Sequence, residues 1–127
     1  MIVDASAAVA VLNGEVCQDL LVEKMRDATW LGITPISALE VVMILARRYS
    51  DPAPQVQAFL AQMRIDIHPI DAEQTRLAQQ AFLAFGKGRH KARLNLSDCF
   101  SYAAAKALDA PLLFVGNDFA RTDIRAA

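Results

Sequence analysis

Met1-Ile-Val-Asp-Ala-Ser-Ala-Ala-Val-Ala-Val-Leu-Asn-Gly14 opens the chain and decides how the rest is read. Three apolar residues form a short strand that stops at Asp4, Ala5 to Leu12 has helical composition, and Asn13-Gly14 is a strong breaker pair. A strand therefore delivers a carboxylate directly into the start of a helix.

The same alternation continues. Glu15 to Arg26 carries a helical rhythm, and Thr29-Trp-Leu-Gly-Ile-Thr34 reads as a short buried strand before Pro35 turns the chain. Ser37-Ala-Leu-Glu40 has the Ser-x-x-Glu form of a capping box and predicts a helix starting there and running from Val41 to Tyr49. Asp51-Pro52 pairs a capping residue with a proline suited to the first turn of a helix ending near Met63.

Ile65-Asp-Ile-His-Pro-Ile70 alternates like a strand, with Pro69 suited to its end. Asp71 caps a helix reaching Phe85, which stops at Gly86-Lys-Gly88, and Arg89 to Asn95 is a polar loop. Ser97-Asp98 opens a helix from Cys99 to Leu108. Leu112-Leu-Phe-Val115 is the most continuous strand signal and ends at Gly116-Asn117-Asp118. Strands separated by helices of this length imply crossover connections and a parallel sheet covered on both faces. The expected architecture is α/β: a three-layer α/β/α sandwich with a mainly parallel sheet, forming one domain over residues 1–127.

Composition narrows the function. A hydrophobic share of 54% and a mean hydropathy of +0.24 are high enough to suggest apolar surface kept for a partner, either a second copy or another protein. Every apolar run is broken by a charge well short of the roughly 20 residues a spanning helix needs. The N-terminus also lacks the basic region of a signal peptide, so a cytoplasmic location is expected. Cys17 and Cys99 have neither disulfide-framework nor zinc-knuckle spacing and read as reduced thiols in or near the core. With a net charge of −1 there is no global basic field, so contact with a nucleic acid has to be local. Lys87, Arg89, Lys91 and Arg93 supply such a local excess, although an exposed loop without a partner would look the same.

Ligands of open parallel sheets sit beyond the carboxyl ends of the strands. Asp4 and Asp118 stand at or just past such ends, and Glu40 and Asp98 lie in first turns of helices near the same edge. Each acid also has a local use as a cap or turn acceptor.

Ile2-Val-Asp-Ala-Ser6, Leu39-Glu-Val41, Leu96-Ser-Asp-Cys-Phe-Ser-Tyr-Ala103 and Leu113-Phe-Val-Gly-Asn-Asp-Phe119, in that order and over essentially the whole chain, resemble the PIN domain and within it the VapC toxins. The resemblance implies that Asp4, Glu40, Asp98 and Asp118 converge as the acidic site of a ribonuclease, with Ser6 as the small hydroxyl residue beside the first acid. It further implies a toxin paired with a small antitoxin that covers the acidic cleft, and a tendency to dimerise. Gly116 departs from the pattern, since relatives often carry Thr or Ser there. Asp123, a further acid near the end, is expected to be structural or supporting.

Clustered carboxylates repel one another unless a cation offsets them, and an all-oxygen donor set suits Mg²⁺, with Mn²⁺ as a substitute, rather than zinc. Mg²⁺ keeps several waters, so Asp4 and Asp98 are expected as its direct ligands, with Glu40 and Asp118 holding waters or a second ion. Such a centre would activate water against an RNA phosphodiester. His90 is expected to be a surface residue rather than a general base, and His68 to be structural. A haloacid-dehalogenase-like phosphatase would need a second Asp where Ser6 stands, and a receiver domain would need paired acids after the first strand. An inactive PIN-like domain that binds RNA or protein without cutting is the remaining alternative, and the presence of all four acids weighs against it.

Overall fold

Ile2 and Val3, adjacent in a strand, project to opposite faces of a sheet, and each joins a different half of the core. A computed structural model describes residues 1–127. In chain order its elements are β1 Ile2–Val3, α1 Ala5–Leu12, α2 Gln18–Asp27, β2 Leu31–Ile33, α3 Pro35–Leu45, α4 Ala53–Met63, β3 Ile65–Ile67, α5 Ala72–Phe85, α6 Leu96–Ala107 and β4 Leu112–Leu113. One apolar cluster gathers Val3, Leu31, Ile33, Ile65 and Leu113 with side chains of α1 to α4. The other gathers Ile2 and Leu112 with side chains of α5 and α6. The α/β/α layering expected from the alternation is present.

All strand pairs are parallel, and the order across the sheet is β3-β2-β1-β4. The chain winds outward from β1 through β2 to β3, then returns to the other side of β1 to lay down β4. The winding direction reverses between β1 and β4, and the crevice beyond their carboxyl ends is where such sheets bind ligands. Asp4 follows β1, and Gly116 to Asp118 follow β4. The outer edge of β4 is covered by the C-terminal tail, with Leu112 N–H donating to Arg125 O at 2.9 Å and Ala127 N–H to Leu112 O at 3.0 Å. That pairing has no signal in the sequence reading.

Several boundaries move, for local reasons. Helix α3 starts two residues before Ser37: Thr34 is its cap, accepting from Ser37 N–H at 3.0 Å, and Pro35 takes the first helical position, where a missing N–H is harmless. Ser37 is therefore not a capping residue, and the expected Ser37–Glu40 box does not form. Helix α6 starts at Leu96 rather than Cys99, because Asn95 and Asp98 cap it reciprocally. Asp51 barely caps α4, reaching Ala53 N–H only at 3.4 Å, and Glu15 to Cys17 form a turn that delays α2 to Gln18. Strand β4 stops at Leu113, short of the expected Val115, and Val115 N–H turns instead to the Ser6 hydroxyl at 3.1 Å. Strand β3 ends at Ile67, just before His68 and Pro69.

Candidate active site

Asp4 caps α1 from extended backbone and is 2% exposed. Its Oδ2 accepts from the Ser6 backbone N–H at 2.9 Å and from the Ser6 hydroxyl at 2.6 Å. Its Oδ1 accepts from the Ser101 hydroxyl at 2.7 Å. The expected cap is thus real, and it coexists with a carboxylate fixed from both sides. Ser6 does more than neighbour the acid: its oxygen also accepts from Val115 N–H, which ties the loop after β4 to the end of β1.

Asp98 sits at the third position of α6, where a negative charge meets the positive end of the helix. Its Oδ2 accepts from Asn95 N–H at 2.8 Å while Asn95 Oδ1 accepts from Asp98 N–H at 2.9 Å. Burial pushes its carboxyl up from the ordinary value of 3.8 to about 7; the Asn95 hydrogen bond opposes this, and the fields of Asp4, Glu40 and Asp118 add to it. The charges of all three other acids thus reach Asp98. Glu40 is half-buried on α3 and Asp118 is exposed after β4, so the buried pair lies at the floor and the other two at the rim.

No basic side chain neutralises this cluster, since the ion pairs of the chain are Lys106 with Asp123 and Arg125 with Asp109. Nor do any three His, Cys, Asp or Glu side chains form a ready-made cage for an ion. Oxygen-only donors and too few of them for a closed cage fit Mg²⁺ or Mn²⁺, which fill out their shells with water and substrate phosphate. They do not fit a structural zinc centre, which needs four ligands and favours sulfur and imidazole.

Gly116 has φ +104, a conformation side chains with a Cβ rarely adopt, and the space around it is open. Backbone geometry suits glycine there, and no hydroxyl from position 116 reaches the acids.

Lys87, Arg89, Lys91 and Arg93 are exposed and surround, with Gly88 and His90, a shallow depression of about 510 Å³. The loop is pinned by Arg89 Nε to Leu83 O at 3.1 Å and by Arg121 Nη1 to Lys91 O at 2.9 Å. His90 Nδ1 accepts from Ala92 N–H at 3.0 Å and its ring lies edge-on to Phe85, a structural role. Asp123 accepts from the Tyr102 hydroxyl at 2.6 Å and pairs with Lys106 at 2.8 Å, away from the other acids. Cys99 is buried and its thiol is pushed up to about 11, by burial and then by Asp98, which makes it inert. A cavity of about 860 Å³ is an apolar groove along α5 and α6 that includes Phe82, Leu83 and Leu96, and none of the four acids lines it.

Sequence reading missed Thr34, Ser37, Ser97 and Ser101. Their hydroxyls are buried between α3 and α6 and run up to Asp4. The available signal was Ser97 and Ser101, four apart and so on one face of an otherwise alanine- and aromatic-rich helix.

The PIN domain family matches residues 1–125. The chain is 37% identical to "Ribonuclease VapC" of Mycolicibacterium smegmatis, covering 99% of this chain and 98% of that one. It is 40% identical to Ribonuclease VapC42 of Mycobacterium tuberculosis, covering 100% and 98%. Among solved structures, Mycobacterium tuberculosis VapC20, described as a sarcin-ricin-loop-cleaving toxin, superposes with a TM-score of 0.77 at 16% identity over 99% of this chain and 97% of that one. A chain of a toxin-antitoxin complex from Klebsiella pneumoniae superposes with a TM-score of 0.71 at 18% identity over 96% of this chain and 92% of that one. Built on a parallel sheet whose winding reverses beside Asp4 and matched in sequence end to end, this chain belongs to the PIN domain family and, within it, to the VapC ribonucleases.

Proposed function

We propose that residues 1–127 act as one nuclease domain, a Mg²⁺-dependent endoribonuclease in which Mn²⁺ can substitute, and that it serves in the cytoplasm as the toxin of a toxin-antitoxin pair. The observation that carries this reading is the grouping of Asp4, Glu40 and Asp118 around buried Asp98 with no internal cation to offset them. An isolated buried carboxylate is costly, and a site that retains several is built to receive a cation.

Asp4 and Asp98 would hold the ion directly. Ser6 and Ser101 keep the Asp4 carboxylate from rotating, and the Asn95 bond engages only Oδ2 of Asp98, which leaves Oδ1 free. Glu40 and Asp118, on the rim, would orient waters or take a second ion arriving with substrate. When bound, the cation supplies Lewis acidity at the phosphoryl group and acidifies a water for in-line attack. Lys87, Arg89, Lys91 and Arg93 would bind the RNA backbone and offset the repulsion between four acids and a polyanion.

A cognate antitoxin and a second copy of the chain are the proposed protein partners. Leu39 and Met43 are both exposed, one helical turn apart on α3 beside Glu40, and offer apolar surface next to the site. No helix is long and apolar enough to cross a membrane.

Incubation of the purified chain with structured RNAs, with Mg²⁺ or with chelator, tests the reading. Cleavage is expected with the metal and lost with chelator; cleavage that persists under chelation overturns it.

A further inference from the structure

The hydroxyls of Thr34, Ser37, Ser97 and Ser101 form a chain whose proton directions follow from counting donors. A serine or threonine hydroxyl has one proton to give and two lone pairs to accept with. Ser101 donates to Asp4 Oδ1 at 2.7 Å, so its 2.9 Å contact with Ser37 can only be a bond that Ser37 donates. The Ser37 proton is then committed, and the 3.2 Å contact with Ser97 must be donated by Ser97. Thr34 also donates to Ser37, at 2.9 Å, while its oxygen accepts from Ser37 N–H. Ser37 is thereby saturated, with two bonds accepted and one donated, and every side-chain proton in the chain points toward Asp4.

Thr34, Ser37 and Ser101 are 0% exposed and Ser97 is 4% exposed, so bulk water does not compete for these bonds. The chain links the start of α3, which follows β2, to α6 and to the end of β1. Buried polar groups are retained when each is satisfied and the network fixes one arrangement. Here the arrangement it fixes is the rotation of a carboxylate.

We propose that Ser37 and Ser101 are positioning residues: a one-way hydrogen-bond relay that holds the Asp4 carboxylate in the orientation a divalent cation requires. This rests on the reading of Asp4 as a metal ligand. Outer groups that orient a ligand typically change metal affinity by 10 to 100-fold when removed. Ser37 touches no acid, and in the relay it acts only through Ser101, so the two substitutions are coupled rather than additive.

The test is calorimetric titration of Mn²⁺ into the RNA-free chain and into Ser101→Ala, Ser37→Ala, the double variant and Asp4→Asn, with thermal denaturation confirming that each is folded. The relay predicts that the parent binds, Asp4→Asn does not, and each serine variant binds about tenfold more weakly. The double variant should bind no more weakly than Ser101→Ala alone. Serine variants that bind like the parent, or a double variant showing the product of the two single losses, overturn the relay and leave the metal site standing. A parent that binds no Mn²⁺, or an Asp4→Asn variant that binds equally well, overturns the metal reading and the relay with it.

Discussion

Asn95 and Asp98 hold one another: each backbone N–H donates to the other's side chain, at 2.8 Å and 2.9 Å. The acid at the floor of the site is therefore also half of a helix cap: its carboxylate is held by the Asn95 backbone N–H, while the Asn95 side chain caps the Asp98 N–H. Asn95→Ala removes the side-chain acceptor of the Asp98 N–H and costs about 1 kcal/mol, the usual value of an N-cap. For a chain of this size that lowers the melting temperature by roughly 4 °C. RNA cleavage at temperatures where the variant is fully folded should stay close to that of the parent, because the Asp98 carboxylate still accepts from the backbone N–H of residue 95. A large loss of cleavage in the folded variant would show that the Asn95 side chain also places the acid.

The raised Asp98 carboxyl predicts a pH-dependent stability. Its folded value, about 7, lies above the ordinary 3.8, so the stability it contributes is fully present below pH 4 and is lost as pH rises toward and through 7. Thermal denaturation of the metal-free chain in chelator should show a fall in melting temperature across that window. Asp98→Asn, which cannot ionise, should show a shallower slope and a higher melting temperature than the parent at pH 8. Parallel slopes for the two proteins would contradict the assignment.

Asp123 behaves as a structural acid. Its Lys106 and Tyr102 hydrogen bonds hold its carboxyl below the usual range, so the stability it adds is present above the ordinary carboxyl value and is lost as pH falls through its lowered one. Asp123→Asn should shift the melting temperature by only a few degrees, since exposed pairs contribute about 0 to 1 kcal/mol. Its rate of RNA cleavage should stay within about twofold of the parent, under the ~10²-fold loss that removal of one transition-state contact brings. A large loss of cleavage without loss of stability would bring Asp123 into the site.

The basic loop should reveal itself through salt. Each phosphate contact removed from a single-stranded nucleic acid lowers the slope of log affinity against log salt by about 0.7. Replacing Lys87, Arg89, Lys91 and Arg93 together by glutamine, with cutting suppressed by chelator, should weaken RNA binding and flatten that slope by about 2 to 3. An unchanged slope would mean the loop is only a solvated connection.

Much of the fold was legible because each element carries its own local signal. Ile2-Val-Asp4 and Leu112-Leu113 mark strand ends, Asn13-Gly14 and Gly86-Lys-Gly88 mark helix ends, and Asp71 caps α5 where expected, accepting from Gln74 N–H at 2.8 Å. Errors arose where two local signals competed. Ser37-x-x-Glu40 matched a capping box, but Thr34 followed by Pro35 is the earlier and stronger start; Ser97-Asp98 resembled an opening that Asn95 had already made. The four acids could be nominated one by one, but their approach to one another depends on the sheet order β3-β2-β1-β4, which no single segment encodes. The relay from Thr34 to Asp4 spans residues up to 97 apart in sequence, and serine in a helix gives no hint of what it faces across the interface.

The central claim is that Asp4 and Asp98 serve one metal-dependent cleavage site. It is tested most directly by single-turnover cleavage of an RNA substrate in Mg²⁺ by the parent, Asp4→Asn, Asp98→Asn and the double variant, each verified as folded. Groups that act as a unit are strongly non-additive, so each single variant should lose at least about 10²-fold in rate, with the double variant little worse than either. A single variant that cuts at the parental rate would contradict the account.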